Sequence, residues 1–255
     1  MLTNKQIQFY KDNGYLIVSQ IFQPEEVEEC VSETDEMFSR AEKSGRSLEA
    51  TWGGKWQDTQ MAKDERGRTS VLSIHNMQYY SSVFTRMLVN PKLTEVVADL
   101  IGPNVQLHHT KLHVKPPEKG SPFPLHQDYD YFPHEKDTMI AAVIYLEDVT
   151  EENGCLCVMP GVHAQGPLTH QHDGSHYLSP EEYTIEEATP CRGKAGDVVL
   201  FSYLTPHGSY PNRTNSPRRL VLFQFRSPTD KPLKDVHISP GQGMMVRGIN
   251  PAMEV

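Results

Sequence analysis

The feature that most constrains this fold is a change of pattern at Val105. Beyond it, the apolar residues come in short β-branched and aromatic runs: VQLHHTKLHVK, TMIAAVIYLEDV, CLCVMPG, DVVLFSYL and RLVLFQFRS. Pro, Gly and Asn punctuate them, the signature of strands separated by turns. Before Val105 the spacing is mainly helical. Helices first and strands later predict an α+β fold whose β part forms a sandwich or barrel.

The helical third is well signposted. Thr3 and Gln6 form a capping-box pattern ahead of IQFYKDN, and Gly14 is placed to stop that helix. YLIVSQIF then reads as a short strand. PEEVEECVSETDEMFSRAEK starts with Pro and acids and ends near Lys, the order a helix prefers. VFTRMLVNPKLTEVVADLIG resumes helical spacing and ends at Gly102. Between them, residues 45–70 are polar and Gly-containing, yet hold both tryptophans, Trp52 and Trp56. They read either as a surface loop with two packed anchors or as a lid over a site. No repeat or linker marks a boundary. The expected organisation is one domain over residues 1–255: a mainly helical flank with the loop or lid (1–104), a β core (105–230) and a C-terminal tail (231–255).

Charge narrows the partners. The 255 residues carry a formal net charge of −9. That argues against nucleic acid or an anionic membrane surface, which both need a positive field. No run approaches the length of a membrane-spanning helix. The start, MLTNKQIQFYKDNG, lacks the basic and apolar regions of a signal peptide. Cys30, Cys155, Cys157 and Cys191 form no CxxC pair. Reduced thiols in a cytoplasmic protein are the expectation, and the Asn212-Arg213-Thr214 sequon carries little weight there.

Chemistry concentrates in SPFPLHQDYDYFPHEKDTM. His126 and Asp128 are two residues apart, so an extended segment sends both side chains to one face. Alone, such a pair is cheap in a chain with 12 histidines. His207 strengthens it, because it follows an apolar strand and sits in a Pro/Gly/Ser turn. Two histidines and a carboxylate form the facial set that leaves positions open on non-haem Fe(II). An anionic co-substrate filling those positions needs a cation for its far carboxylate, and arginine does this in bidentate fashion. Arg218 and Arg219 follow His207 by eleven and twelve residues. Being neighbours on a strand, only one faces inward.

Three ordered blocks carry a family resemblance: HQD, then MIAAVIYLEDVTEENGCLCVMPGVH, then GDVVLFSYLTPHGSYPNRTNSPRR. Together they resemble the phytanoyl-CoA dioxygenase family of Fe(II)- and 2-oxoglutarate-dependent oxygenases, over about residues 105–226 and more weakly in FYKDNGYLIVSQIF. The resemblance implies a double-stranded β-helix (a jelly-roll or cupin-like core) flanked by the N-terminal helices. It assigns His126, Asp128 and His207 to the metal and Arg218 to 2-oxoglutarate. Further 2-oxoglutarate contacts would come from His109, Lys111 and His113, which share a face of their strand. The implied reaction uses O2, releases succinate and CO2, and oxidises a small-molecule substrate. Two departures from the family pattern stand out. Pro160-Gly161-Val162-His163 replaces PGSH, and Val143 stands near a tryptophan common in relatives. Asp128 is present, which favours oxygenation over halogenation, where a small residue replaces the carboxylate.

Other candidates are weighed against ordinary packing. Tyr129, Tyr131 and Phe132 either line a substrate pocket or belong to the core. Asp130 and His134 lie near enough to the triad pair for a supporting or substrate contact. The histidines His170, His172 and His176 sit in a polar loop, where exposure is the expectation and Zn or Ni ligation the sharper alternative. Cys155 and Cys157 are expected to pack on one face of a strand. For His163 the resemblance suggests a structural hydrogen bond. Two rival functions use the same residues: a cupin-type Zn-dependent hydrolase or isomerase, and a non-catalytic binding module. Arg218 discriminates, because a hydrolase has no need of an arginine there. Neither substrate identity nor oligomeric state is legible in the sequence.

Overall fold

Alternation along the strand Ile140–Tyr145 shows how the molecule is layered. Ile140, Ala142 and Ile144 pack with the helices, whereas Ala141, Val143 and Tyr145 join a separate apolar cluster inside the β core. A strand buried on both faces carries apolar residues at every position, and this one does. The computed structural model describes residues 1–50, 52–63, 66 and 70–253.

Two antiparallel sheets enclose that inner cluster. The larger runs in the order Tyr15–Val18, Val198–Ser202, Ile140–Tyr145, Arg218–Arg226, Val105–Lys115, Val71–His75 and Glu49–Ala50. Met245–Arg247, from the expected tail, adds to it beside Val105–Lys115. The smaller sheet runs Thr189–Cys191, Leu156–Val158, His207–Ser209 and Phe123–His126. Sequence neighbours are rarely sheet neighbours here, the mark of a jelly roll built from crossing connections.

Helices cover the outer face of the larger sheet. Val27, Cys30, Phe84, Leu88, Leu93 and Val97 pack there against Leu107, Leu112, Val221, Phe223 and Phe225. The first helix, Asn4–Asn13, has the Thr3–Gln6 capping box and ends at Gly14 with φ of 77°. The second, Pro24–Lys43, begins with Pro, Glu25 and Glu26. The expected continuous helix over VFTRMLVNPKLTEVVADLIG is in fact two, Ser82–Leu88 and Pro91–Ile101. Pro91 lacks the N–H that would continue the first and starts the second instead. Asn90 caps that start, its side chain accepting from the Lys92 amide at 3.0 Å. The strand expected over YLIVSQIF is confined to Tyr15–Val18.

Of residues 45–70, Thr51, Asp64, Glu65 and residues 67–69 lie outside the described residues. Within the segment, Glu49–Ala50 pair with Val71–His75, and the turn at Gly53–Lys55 docks on the hairpin of His170–Gln171 and Tyr177–Leu178. Ser175 Oγ donates to Gly53 O at 2.7 Å, and the Lys55 amide donates to Tyr177 Oη at 3.1 Å.

Candidate metal centre and its cavity

His126 closes the strand Phe123–His126, and His207 opens the strand His207–Ser209 directly opposite it. Their rings lie 4.2 Å apart. Asp128 is not on an extended segment, as its spacing suggested, but begins a 3-10 turn over Asp128–Asp130. The turn bends the carboxylate back toward the rings, with Oδ1 3.9 Å from His207 Nε2. One donor atom from each of His126, Asp128 and His207 lies within 4.8 Å of the others.

Both imidazoles are held in the tautomer that a metal ligand needs. His126 Nδ1 donates to Pro124 O at 2.8 Å, and His207 Nδ1 donates to Thr205 O at 3.0 Å. Each bond places the proton on Nδ1 and leaves an Nε2 lone pair for a metal. Burial holds both rings neutral, pushing His126 down to about 3 and His207 to about 4. Burial also raises Asp128, and the proximity of His126 and Lys111 only partly offsets it. Two neutral nitrogens and one buried carboxylate fit a divalent iron, which would supply the positive charge that Asp128 lacks.

A cavity of about 120 Å³ opens from these residues into the β core. Val143, Leu156, Phe201, Leu220 and Leu222 form an apolar wall, and Arg218 lies on the same lining. Arg218 is 1% exposed, and its Nε and Nη1 have no hydrogen-bond partner. Burial lowers its pKa to about 10, so it remains a cation. An uncompensated buried guanidinium is costly, and an arriving carboxylate would offset that cost. Beside it, Lys115 is buried and donates to Ser209 Oγ at 2.7 Å and to Tyr210 O. Ser209 and Lys115 have no sequence signal of their own; the HGS turn and KPP strand end are the only cues.

Other expected residues separate into those on the lining and those off it. Lys111, His113, Trp52 and Tyr131 line the cavity. His109 does not: its ring packs on His237 and Phe132, with centroids 4.5 and 5.4 Å away. A register shift in the Val105–Lys115 strand falls beside it. Trp56 is fully buried with Met61 and Tyr177. Tyr129 packs on Tyr203, and buried His134 donates from Nδ1 to Phe132 O. His163 Nε2 bonds Lys11 O at 3.1 Å, tying the first helix down. His170, expected exposed in a polar loop, is buried, its Nε2 accepting from the Gln127 amide at 2.9 Å. Cys155 and Cys157 are buried and free, yet fall in different apolar clusters.

Comparison with known proteins decides the family. Residues 10–220 match the family model described as Phytanoyl-CoA dioxygenase (PhyH). The chain belongs to the phytanoyl-CoA dioxygenase family. Among its curated relatives is the "Probable alpha-ketoglutarate-dependent hypophosphite dioxygenase" of Stutzerimonas stutzeri, 26% identical over 88% of this chain and 78% of that protein. Peroxisomal phytanoyl-CoA dioxygenase of Homo sapiens is 28% identical over 89% of this chain and 69% of that protein. The fold matches the crystal structure of the epimerase SnoN in complex with Fe3+, alpha ketoglutarate and nogalamycin RO. That match has a TM-score of 0.72 at 19% identity, covering 95% of this chain and 98% of that one. This family match and the jelly-roll core agree with the fold and family read from the three sequence blocks.

Proposed function

We propose that this protein is an Fe(II)- and 2-oxoglutarate-dependent oxygenase that oxidises a small organic molecule. The observation that carries the reading is the pairing, on one cavity, of the His126/Asp128/His207 donors with the unpartnered guanidinium of Arg218. Fe(II) held by those donors would supply O2 activation coupled to decarboxylation of 2-oxoglutarate to succinate and CO2.

The chain's own residues bind, aim and keep the site dry. Arg218 would take the far carboxylate of 2-oxoglutarate in a bidentate pair. Ser209, fixed by Lys115, offers a hydroxyl beside it. Val143, Leu156 and Leu220 exclude water around the co-substrate's methylenes. Trp52 packs edge-on against Phe123 with ring centroids 4.2 Å apart and, with Tyr131, adds aromatic surface to the lining. We read the segment carrying Trp52 as the lid and the whole as one oxygenase domain. A zinc hydrolase on the same donors would leave the buried cation of Arg218 without a role.

No described helix is long and apolar enough to cross a membrane. The four buried, free thiols favour a reducing cytoplasm. The relatives named above act on very different molecules, hypophosphite and phytanoyl-CoA, so family membership does not set the substrate.

The decisive experiment is anaerobic. Adding Fe(II) and then 2-oxoglutarate to the metal-free protein should give the visible absorbance of the iron–2-oxoglutarate chelate. Exposure to O2 should then give succinate. No 2-oxoglutarate binding in the presence of Fe(II) would sink the reading.

A further inference from the structure

We propose that Asp130, His172 and His176 form a second site, for a divalent transition-metal ion with zinc the best chemical match. Asp130 ends the turn that starts at Asp128, and the two histidines stand at the two ends of the loop around Gly174 that joins the hairpin's strands. One donor atom of each of the three lies within 4.8 Å of the others. Asp130 Oδ2 faces His172 Nε2 at 2.7 Å and His176 Nδ1 at 2.5 Å. One carboxylate oxygen thus gathers two ring nitrogens from residues more than forty positions away.

The site is built rather than incidental. Tyr131 stacks on the His176 ring at 4.3 Å and 22°, fixing its plane. His170, the third loop histidine, is excluded as a ligand because both its nitrogens are engaged, with the Gln127 amide and with Leu168 O. The side chains of His172, His176 and Asp130 are 56%, 38% and 23% exposed. An ion can therefore enter from solvent, and water can complete its coordination. Two imidazoles and a carboxylate suit Zn2+, Ni2+ or Co2+ and disfavour Ca2+ or Mg2+, which want oxygen donors. Binding would put the ion where two N–H protons now sit. Bonds of about 2.0–2.1 Å to each donor require the nitrogen–oxygen separations to open to roughly 3–3.5 Å. Exposed side chains on a hairpin can make that movement.

Occupancy bears on the cavity. The same hairpin carries Ser175 and Tyr177, which hold Gly53 and Lys55 on either side of the Trp52 segment's turn. An ion at Asp130 would clamp the hairpin to the loop that bears Asp128.

The test is stoichiometry, with Zn2+ alone added to the metal-free 255-residue protein and followed by calorimetry. Wild type should bind two equivalents. The exposed His172→Ala/His176→Ala pair should lose one, and Asp130→Asn should weaken the same one at least tenfold. An Asp128→Ala/His207→Ala variant should keep it. Thermal melting controls for folding. Equal stoichiometry and affinity in wild type and the His172→Ala/His176→Ala variant would overturn the proposal. A single equivalent that survives Asp128→Ala/His207→Ala but is lost with His172 and His176 would support it while removing the metal reading of the triad.

Discussion

Arg218 and Arg219 are adjacent in sequence and project to opposite faces of one strand. Arg218 enters the cavity without a salt-bridge partner among the described residues. Arg219 points to the helical layer, where it pairs with Glu147 at 2.5 Å and with Asp35 of the second helix at 2.8 Å. Period-two geometry forces this split, and the flanking register, Leu220 opposite Tyr145, decides which arginine turns inward.

Arg218→Ala should therefore raise the 2-oxoglutarate concentration needed for half-maximal turnover by roughly 100-fold, about 2.7 kcal/mol of lost binding. Arg219→Ala should leave it unchanged and lower stability by about 1 kcal/mol, the scale of a partly exposed ion-pair network. Steady-state kinetics and urea unfolding separate the two. The reverse pattern would mean that Arg219 is the co-substrate residue.

Asp128→Asn tests the metal set while keeping side-chain shape. Altering residues around a ligand commonly costs about 10–100-fold in metal affinity, so neutralising the carboxylate itself should cost at least roughly that much. Iron content after anaerobic loading and desalting should fall accordingly, and succinate formation should fall with it. Full iron retention would remove Asp128 from the ligand set.

Much of this was legible in the sequence because it depended on local order. The capping box at Thr3, the stop at Gly14 and the strand Arg218–Arg226 follow from short-range patterns. His126 and His207 were readable as a pair only through intervening blocks of family character, since their opposition across a sheet is set by topology. What stayed hidden was non-local or irregular. The 3-10 turn at Asp128 looks extended by spacing. His109 keeps the face of Lys111 and His113, but it lies further along the strand, where Phe132 and His237 pack around its ring and separate it from the cavity. Asp130 meets His172 and His176 only because the hairpin folds back over the Asp128–Asp130 turn.

Acid should destabilise the metal-free protein. Burial lowers His126 to about 3, His207 and His237 to about 4 and His108 to about 2, and holds His113 well below its ordinary value. In the unfolded chain each returns to about 6.5. Below that pH the unfolded chain takes up protons that the folded chain refuses, so stability present above about pH 7 drains away toward the folded values. Each histidine accounts for about 1.4 kcal/mol at one unit below its unfolded pKa. Asp128 acts in the opposite sense, since its raised pKa makes its burial less costly as pH falls, but it is one group against several. Urea midpoints at pH 7.5 and 5.5 should differ by several kcal/mol in fitted stability. Equal midpoints would show that these rings are charged or solvated in the fold.

The two tryptophans should behave differently. Trp56 is fully buried and donates from Nε1 to Gly53 O, so Trp56→Ala should cost about 3–5 kcal/mol. Trp52 is half-buried at the cavity edge against Phe123 and His113. Trp52→Ala should leave the melting temperature nearly unchanged while raising succinate formation uncoupled from substrate oxidation. If Trp52→Ala instead unfolds the protein, the segment is a structural anchor and not a cover.

Gly14 links the first helix to the segment that orients His207. Its φ of 77° is left-handed, and a Cβ there would sit 2.4 Å from Thr205 Oγ1 and 2.5 Å from His163 Nδ1. Its carbonyl accepts from Thr205 Oγ1 at 2.7 Å and from the Ser202 amide at 2.9 Å. Thr205 O in turn orients His207 through Nδ1. Gly14→Ala should therefore cost more than the roughly 1–2 kcal/mol of left-handed backbone alone, and should weaken iron binding through His207. Thr205→Ser keeps the hydroxyl and should keep iron affinity. Normal iron affinity in a folded Gly14→Ala protein would show that His207 is positioned independently of the first helix.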